Sequence, residues 1–311
     1  MRQTAVVIAV AVIALIGVGA IYAGINLGSP GSSTGTVSTN SVQVVAAENF
    51  WGSLVSEIGG THVHVTSIVT DPNTDPHEYT SNSANAQAIS NANLVIVNGA
   101  GYDVWALSII AAANNPHQTV INVQQFLGLP VDVNPHFWYS PYYVNDTVRA
   151  MYKDLVEIDP SHASYFSQEY ASLNSSLGAM NARMRMIAQQ FAGTKVAATE
   201  DIFVYLANAT KLNLISPPAF MMAVAEGNDP PAPSVATFQQ QLQNKSVALF
   251  VYNRQTLTPL TDNMKALAVQ NQIPVVGVTE TIQPPDAQFQ DWMNAQLTAL
   301  QAGLSGHAMV N

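Results

Sequence analysis

The sequence predicts an α/β protein: two Rossmann-like lobes with mostly parallel sheets, joined by a long rigid helix. Three observations carry that expectation. Short apolar, β-branched runs alternate with helix-like segments in the first half of the chain. The same rhythm returns in the second half, and one long amphipathic stretch stands between the two.

In the first half, strands are expected at 42–46, 64–69, 94–98 and 119–123, with helices near 50–58, 84–90 and 104–113. In the second, strands are expected at 195–199, 212–215, 247–252 and 274–278, with helices near 202–207, 235–242, 260–269 and 287–304. Sheets of this kind bind ligands beyond the carboxyl ends of their strands. Between the halves, Phe166, Tyr170, Leu173, Leu177, Met180, Met184, Ile187 and Phe191 recur at spacings of four and three, which places them on one helical stripe. Asp159 suits the N-cap, Pro160 the first helical position and Gly193 the C-cap. A helix of about 32 residues would span roughly 48 Å and brace both lobes. The weak charge beside the stripe favours packing on its own lobes over a coiled-coil partner. The expected division is 42–158 for the N-terminal lobe, 159–192 for the linking helix and 193–311 for the C-terminal lobe.

The N-terminus reads differently. Residues 5–25 are apolar or glycine, and Arg2 is the one charged residue before Glu48. That run is long enough to cross a bilayer of roughly 30 Å, with Arg2 favouring a cytoplasmic N-terminus. A transmembrane anchor or signal segment is expected over 1–27, followed by a flexible linker over 28–41. Everything beyond it would lie outside the cell membrane: anchored if the segment stays, secreted if it is cleaved. Sequons at Asn145, Asn174, Asn208 and Asn244 accord with that side.

Composition removes several function classes. The 311 residues carry a net charge of −10 with only ten Lys plus Arg, which excludes the basic footprint of nucleic-acid binding. Cysteine is absent, so disulfides, thiolate catalysis, thiolate zinc sites and a lipidated cysteine are excluded. No Walker A, HExxH or G-x-S-x-G motif occurs.

Seven histidines remain as candidates. His62 and His64 alternate as if on one strand face and stay unassigned, and His162 is expected to face solvent. His77 and His136 differ because each follows a proline, in "TDPHEY" and "VNPHFWYSP". Proline fixes its own φ and biases the residue before it, so such loops aim the next side chain in a defined direction. A metal ligand needs that rigidity. Asp71, Asn73 and Asp75 imitate the start of a calcium loop, but Pro76 and Asn82 stand where it needs Gly and Glu.

"DPHEY", "ANLVIVNGAGYDVW", "NPHFWYSP" and "ALFVYNRQTLTPLTDNMKALAVQNQIPVVGVTETIQPP" together resemble the metal-binding solute-binding proteins of zinc/manganese ABC importers. The resemblance runs from about Val42 to Leu304. It implies two α/β lobes with the metal in the cleft between them, and one ligand from each of four loops. His77 and His136 match the first two positions. Glu200, in "VAATEDIFVYL", matches the third, which is histidine or glutamate in this family. Glu280, in "GVTETI", stands at the fourth, usually an aspartate, so the carboxylate here is one methylene longer. The family's histidine-rich loop is missing.

Two imidazoles and two carboxylates suit zinc or manganese and neutralise a divalent ion. Bidentate glutamates would favour manganese and the intrinsic affinity order favours zinc, so the metal stays open between them. The resemblance implies a monomer that captures Zn2+ or Mn2+ as a transported ligand and passes it to a separate ABC permease with its ATPase. The chain would not be an enzyme. The rival readings are a cell-surface adhesion protein, a metal-dependent hydrolase, and a binder of an iron chelate or corrinoid.

Overall fold

The structure is a computed structural model that describes residues 41–306. The expected anchor and nearly all of the expected linker lie outside the described residues. Among those described, no helix is long and apolar enough to cross a membrane.

The first lobe contains β1 (Val42–Glu48), α1 (Asn49–Gly59), β2 (Val63–Val69), α2 (Ser83–Asn91), β3 (Leu94–Val97), α3 (Val104–Ala113), β4 (Thr119–Asn122), α4 (Val123–Phe126) and α5 (Pro141–Ile158). Its sheet runs in the order β2-β1-β3-β4 with every pairing parallel. The linking helix is α6 (Ala163–Phe191). The second lobe contains β5 (Lys195–Ala198), α7 (Val204–Ala209), β6 (Asn213–Leu214), α8 (Pro218–Ala225), α9 (Ala232–Gln243), β7 (Leu249–Asn253), α10 (Pro259–Gln270), β8 (Val275–Val278) and α11 (Phe289–Leu304). Its sheet repeats the pattern of the first, β6-β5-β7-β8, again all parallel. The central strands are short, apolar and buried, as in "LVIV" of β3 and "LFVYN" of β7. Strands buried on both faces read this way because helices cover both sides of the sheet.

The 29 residues of α6 span roughly 43 Å. Phe166, Leu173, Leu177, Met180, Met184 and Ile187 are its buried stripe, packed against α1, α5 and α11, so the helix holds both lobes and its apolar face is covered within the chain. One contiguous apolar cluster runs from Phe50, Trp51 and Trp138 through Phe166 and Leu177 to Val251, Phe289 and Leu297. Burying one such Phe or Leu contributes about 1.5–3 kcal/mol. The shared core makes the lobes one packed body rather than two beads on a rod.

Four details differ from the sequence reading. Asp159 does not cap the backbone of the linking helix: a short 3-10 turn, Pro160–His162, intervenes, and the Asp159 carboxylate accepts from Ser161 Oγ and His162 Nδ1. His162 is not simply solvent-facing, because its ring stacks on His62 at 3.7 Å between centroids. His62 and His64 share no strand face, since His62 sits in the turn Gly60–His62 before β2 begins. Finally, the sequence reading has no counterpart of α4, α5 or α8. The α5 stripe of Val144, Val148, Met151 and Leu155 is regular, but Thr147 and the polar residues around it dilute its apolar signal.

Candidate metal centre

His77 follows β2 on a loop whose polar residues build turns. Asp71 Oδ1 accepts from Asn73 N at 2.8 Å, and Asp75 Oδ1 accepts from His77 N at 3.0 Å. Asp75 thereby caps the 3-10 turn Pro76–Glu78, in which Pro76 supplies the preset φ. The apparent calcium-loop residues are thus spent on the turn that aims His77. Its Nε2 lies 3.8 Å from Glu280 Oε1.

His136 is fully buried. Asn134 Oδ1 accepts from His136 N at 2.9 Å and faces His136 Nδ1 at 2.8 Å. The Asn134 amide nitrogen donates to Asp201 O at 2.7 Å, which fixes the amide's orientation. In the neutral ring the proton therefore sits on Nδ1, and Nε2 keeps its lone pair for a cation. That Nε2 lies 3.5 Å from Glu280 Oε1.

Glu280 and Glu200 each stand two residues beyond a strand end, after β8 and β5, and both are fully buried. Glu280 Oε2 accepts from the Tyr102 hydroxyl at 2.6 Å and its Oε1 from Asn253 Nδ2 at 2.8 Å. Asn253 Nδ2 also donates to Glu200 Oε2 at 3.0 Å, leaving Glu200 Oε1 without a partner. Tyr102 reaches Glu280 through a turn in which Gly99, Ala100 and Gly101 take φ of +77°, +52° and +80°. At Gly99 a Cβ would lie 2.4 Å from Asn122 Oδ1, so glycine is required there.

Ligand atoms of His77, His136 and Glu280 all lie within 4.8 Å of one another. Around a tetrahedral ion with bonds near 2.1 Å, ligand atoms sit roughly 3.4 Å apart. The observed separations of 3.5 and 3.8 Å need little contraction to reach that. Glu200 stands outside this set of three, one amide nitrogen from Glu280. The donor set fits a cation: His77 Nε2, His136 Nε2 and Glu200 Oε1 are buried and have no hydrogen-bond partner. Orphaned buried acceptors are costly unless something arrives to satisfy them.

Electrostatics agree. Burial pushes Glu280 up, but the imidazoles of His136 and His77 and the Tyr102 hydrogen bond hold it down at about 2. Burial pulls His136 down, and the Glu280 carboxylate outweighs it, so His136 binds its proton more tightly than an ordinary imidazole. Burial, then Glu280, raises Glu200 well above the carboxylate range. Behind the cluster, Glu48 is raised by burial and by Asp103, while burial lifts Asp103 to about 6 against the N–H groups of Gly99 and Asn98. The mouth is a cavity of about 680 Å³ lined by Asp75, Glu78, Asp132, Asp201 and Glu226, with no Lys or Arg. Such a funnel concentrates cations.

Tyr102, Asn253, Asn134 and Asp201 were not nominated from the sequence. Asn253 ends β7 and Asp201 follows Glu200, so the strand-end rule could have found both. Nothing in the sequence marks the hydroxyl of Tyr102.

Two like-ordered parallel sheets, a bracing helix and a histidine–carboxylate cluster at the strand ends define a two-lobed α/β protein with a candidate cation site. The chain belongs to the family described as "Zinc-uptake complex component A periplasmic" (ZnuA), whose model matches residues 44–303. It is 25% identical over 174 residues to the zinc-binding protein TroA of Treponema pallidum, covering 53% of this chain and 56% of that one. It is 29% identical over 130 residues to the manganese-binding lipoprotein MntA of Halalkalibacterium halodurans, covering 40% and 42%. The chain thus matches 56% of the length of the first of these curated relatives and 42% of the second, about half. A crystal structure of ZnuA superposes with a TM-score of 0.69 at 21% identity, over 85% of this chain and 99% of that one, and shares the fold.

Proposed function

We propose that this chain captures a divalent transition metal, Zn2+ or Mn2+, outside the cytoplasmic membrane and delivers it to an ABC permease driven by its ATPase. The ion is substrate, held by His77 Nε2, His136 Nε2 and Glu280 Oε1, with Glu200 Oε1 completing the shell. One observation carries the reading: side chains from both lobes converge within 4.8 Å while both imidazole Nε2 atoms stay buried and unpaired. Family membership supports it, as do the zinc- and manganese-binding relatives. Four protein ligands leave a four-coordinate ion no open position for a reacting water, which favours binding over turnover. The apolar stretch 5–25 would keep the protein at the membrane, where a permease can be reached, and the chain would work as a monomer.

Isothermal titration of the purified chain with Zn2+ and with Mn2+ tests this. One ion per chain is expected, with binding lost in His136→Ala. Stoichiometric binding that survives both His136→Ala and Glu280→Ala rejects the site.

A further inference from the structure

The two carboxylates do not offer all their oxygens. Glu280 Oε2 is occupied by the Tyr102 hydroxyl at 2.6 Å. Glu200 Oε2 is occupied by the Asn253 amide at 3.0 Å, and the same nitrogen reaches Glu280 Oε1 at 2.8 Å. Asn253 is itself fixed, because its Oδ1 accepts from Gln255 N at 3.0 Å. An amide NH2 has two hydrogens, and its two shortest contacts are the two glutamates. To chelate an ion through both oxygens, Glu280 would have to displace a buried tyrosine hydroxyl and Glu200 a buried amide.

We infer that Tyr102 and Asn253 are specificity-determining residues: Tyr102 turns Glu280 Oε2 away from the imidazoles and Asn253 holds Glu200 Oε2, so the ion is left Glu280 Oε1, which faces both imidazoles beside its amide donor, and Glu200 Oε1, one carboxylate bond apiece, and an ion content with four ligands is selected over one that needs more. The inference rests on the metal-capture reading and adds the choice of metal to it. Two imidazole nitrogens and two single carboxylate oxygens make the tetrahedral N2O2 shell that zinc accepts. Manganese favours six positions, rich in oxygen. Water can reach the ion only from the mouth, past His77, since His136, Glu200 and Glu280 are fully buried.

The test uses the full chain, with Zn2+ and Mn2+ titrated separately and in competition. The wild type is expected to prefer zinc, and X-ray absorption at the zinc edge should report four light-atom neighbours, two of them imidazole. Tyr102→Phe frees Glu280 Oε2, and Asn253→Ala frees Glu200 Oε2 together with the donor on Glu280 Oε1. Each should lower the zinc-to-manganese affinity ratio by about tenfold, the usual lower range for outer partners of metal ligands. Six neighbours around zinc in the wild type overturn the inference without recourse to any variant. So does a ratio that stays within about twofold of wild type in both variants while His136→Ala abolishes binding. A wild-type chain that binds neither ion removes the metal-capture reading itself, and that result is distinct from the other two.

Discussion

The two lobes have the same strand order and opposite chemistry. In the first, the proposed ligands are imidazoles carried on loops, His77 eight residues past the end of β2 and His136 fourteen past the end of β4. In the second, they are carboxylates set two residues past β5 and β8, each preceded by threonine. The first lobe also has an acid at the end of its central strand, Glu48, but that carboxyl is engaged with Asp103 behind the cluster rather than at it. The difference follows from what each ligand needs. A carboxylate buried at a strand end is kept in place by neutral donors, here Tyr102 and Asn253. An imidazole must have one nitrogen tied and the other free, which takes a longer loop with its own internal partner, as Asn134 is for His136.

Removing an imidazole breaks this arrangement most severely. His136→Ala is expected to weaken metal affinity by more than about 100-fold, beyond what loss of an outer partner costs. A competition titration that finds less than about tenfold would remove His136 from the shell. The carboxylates sharpen the comparison next. Glu280→Gln should cost about 100-fold and Glu200→Gln about tenfold, because Glu280 already faces both imidazoles and Glu200 must move towards them. Equal losses in titration would make the two glutamates equivalent and the asymmetry illusory.

Acidity separates the lobes in another way. Binding must expel the proton that Glu280 helps His136 retain, so affinity should fall by about tenfold per pH unit per proton below the raised His136 value. Stability of the metal-free chain has its own window. The raised His136 contributes stability that is complete below the ordinary imidazole value of 6.5 and is lost as pH rises through the folded value. The depressed Glu280 contributes stability that is present above the ordinary carboxylate value of 4.5 and is lost as pH falls towards about 2. Melting temperature without metal should therefore gain from this pair between 4.5 and 6.5. The increment added by zinc should grow above that range, and thermal scans across pH with and without zinc read both trends. The smallest effect is expected far from the ion. Arg183→Met removes the hydrogen bonds from α6 to Asn294 O and Thr298 Oγ1 on α11 and should cost about 1 kcal/mol in urea unfolding, with metal affinity nearly unchanged.

Much of this was legible in the sequence, and the reasons are specific. Apolar strands such as "LVIV" and "LFVYN" between helix-like segments announce parallel sheets, and the stripe from Phe166 to Ile187 announces α6. Pro76 and Pro135 mark His77 and His136 in the sequence because they fix the loops locally. The resemblance, rather than any local signal, nominated Glu200 and Glu280. Tyr102 could not be read at all, since its role depends on contact with a residue 178 positions away. The Asp159 cap failed for a related reason, because a nearby serine and histidine compete for the same carboxylate.

Asn49 and Ile282 have a consequence for unloading. The Asn49 amide donates to Ile282 O at 3.2 Å and accepts from Ile282 N at 3.0 Å, riveting helix α1 to the turn that carries Glu280. Swinging the halves apart like a book would shear this rivet and split the common apolar interior. The stretch from Asp71 to His77 is mostly half-buried and is tied to the far side by Gln255, Thr256 and Gln283. Lifting that flap alone would open the cluster at His77 while leaving the rivet and the shared interior whole.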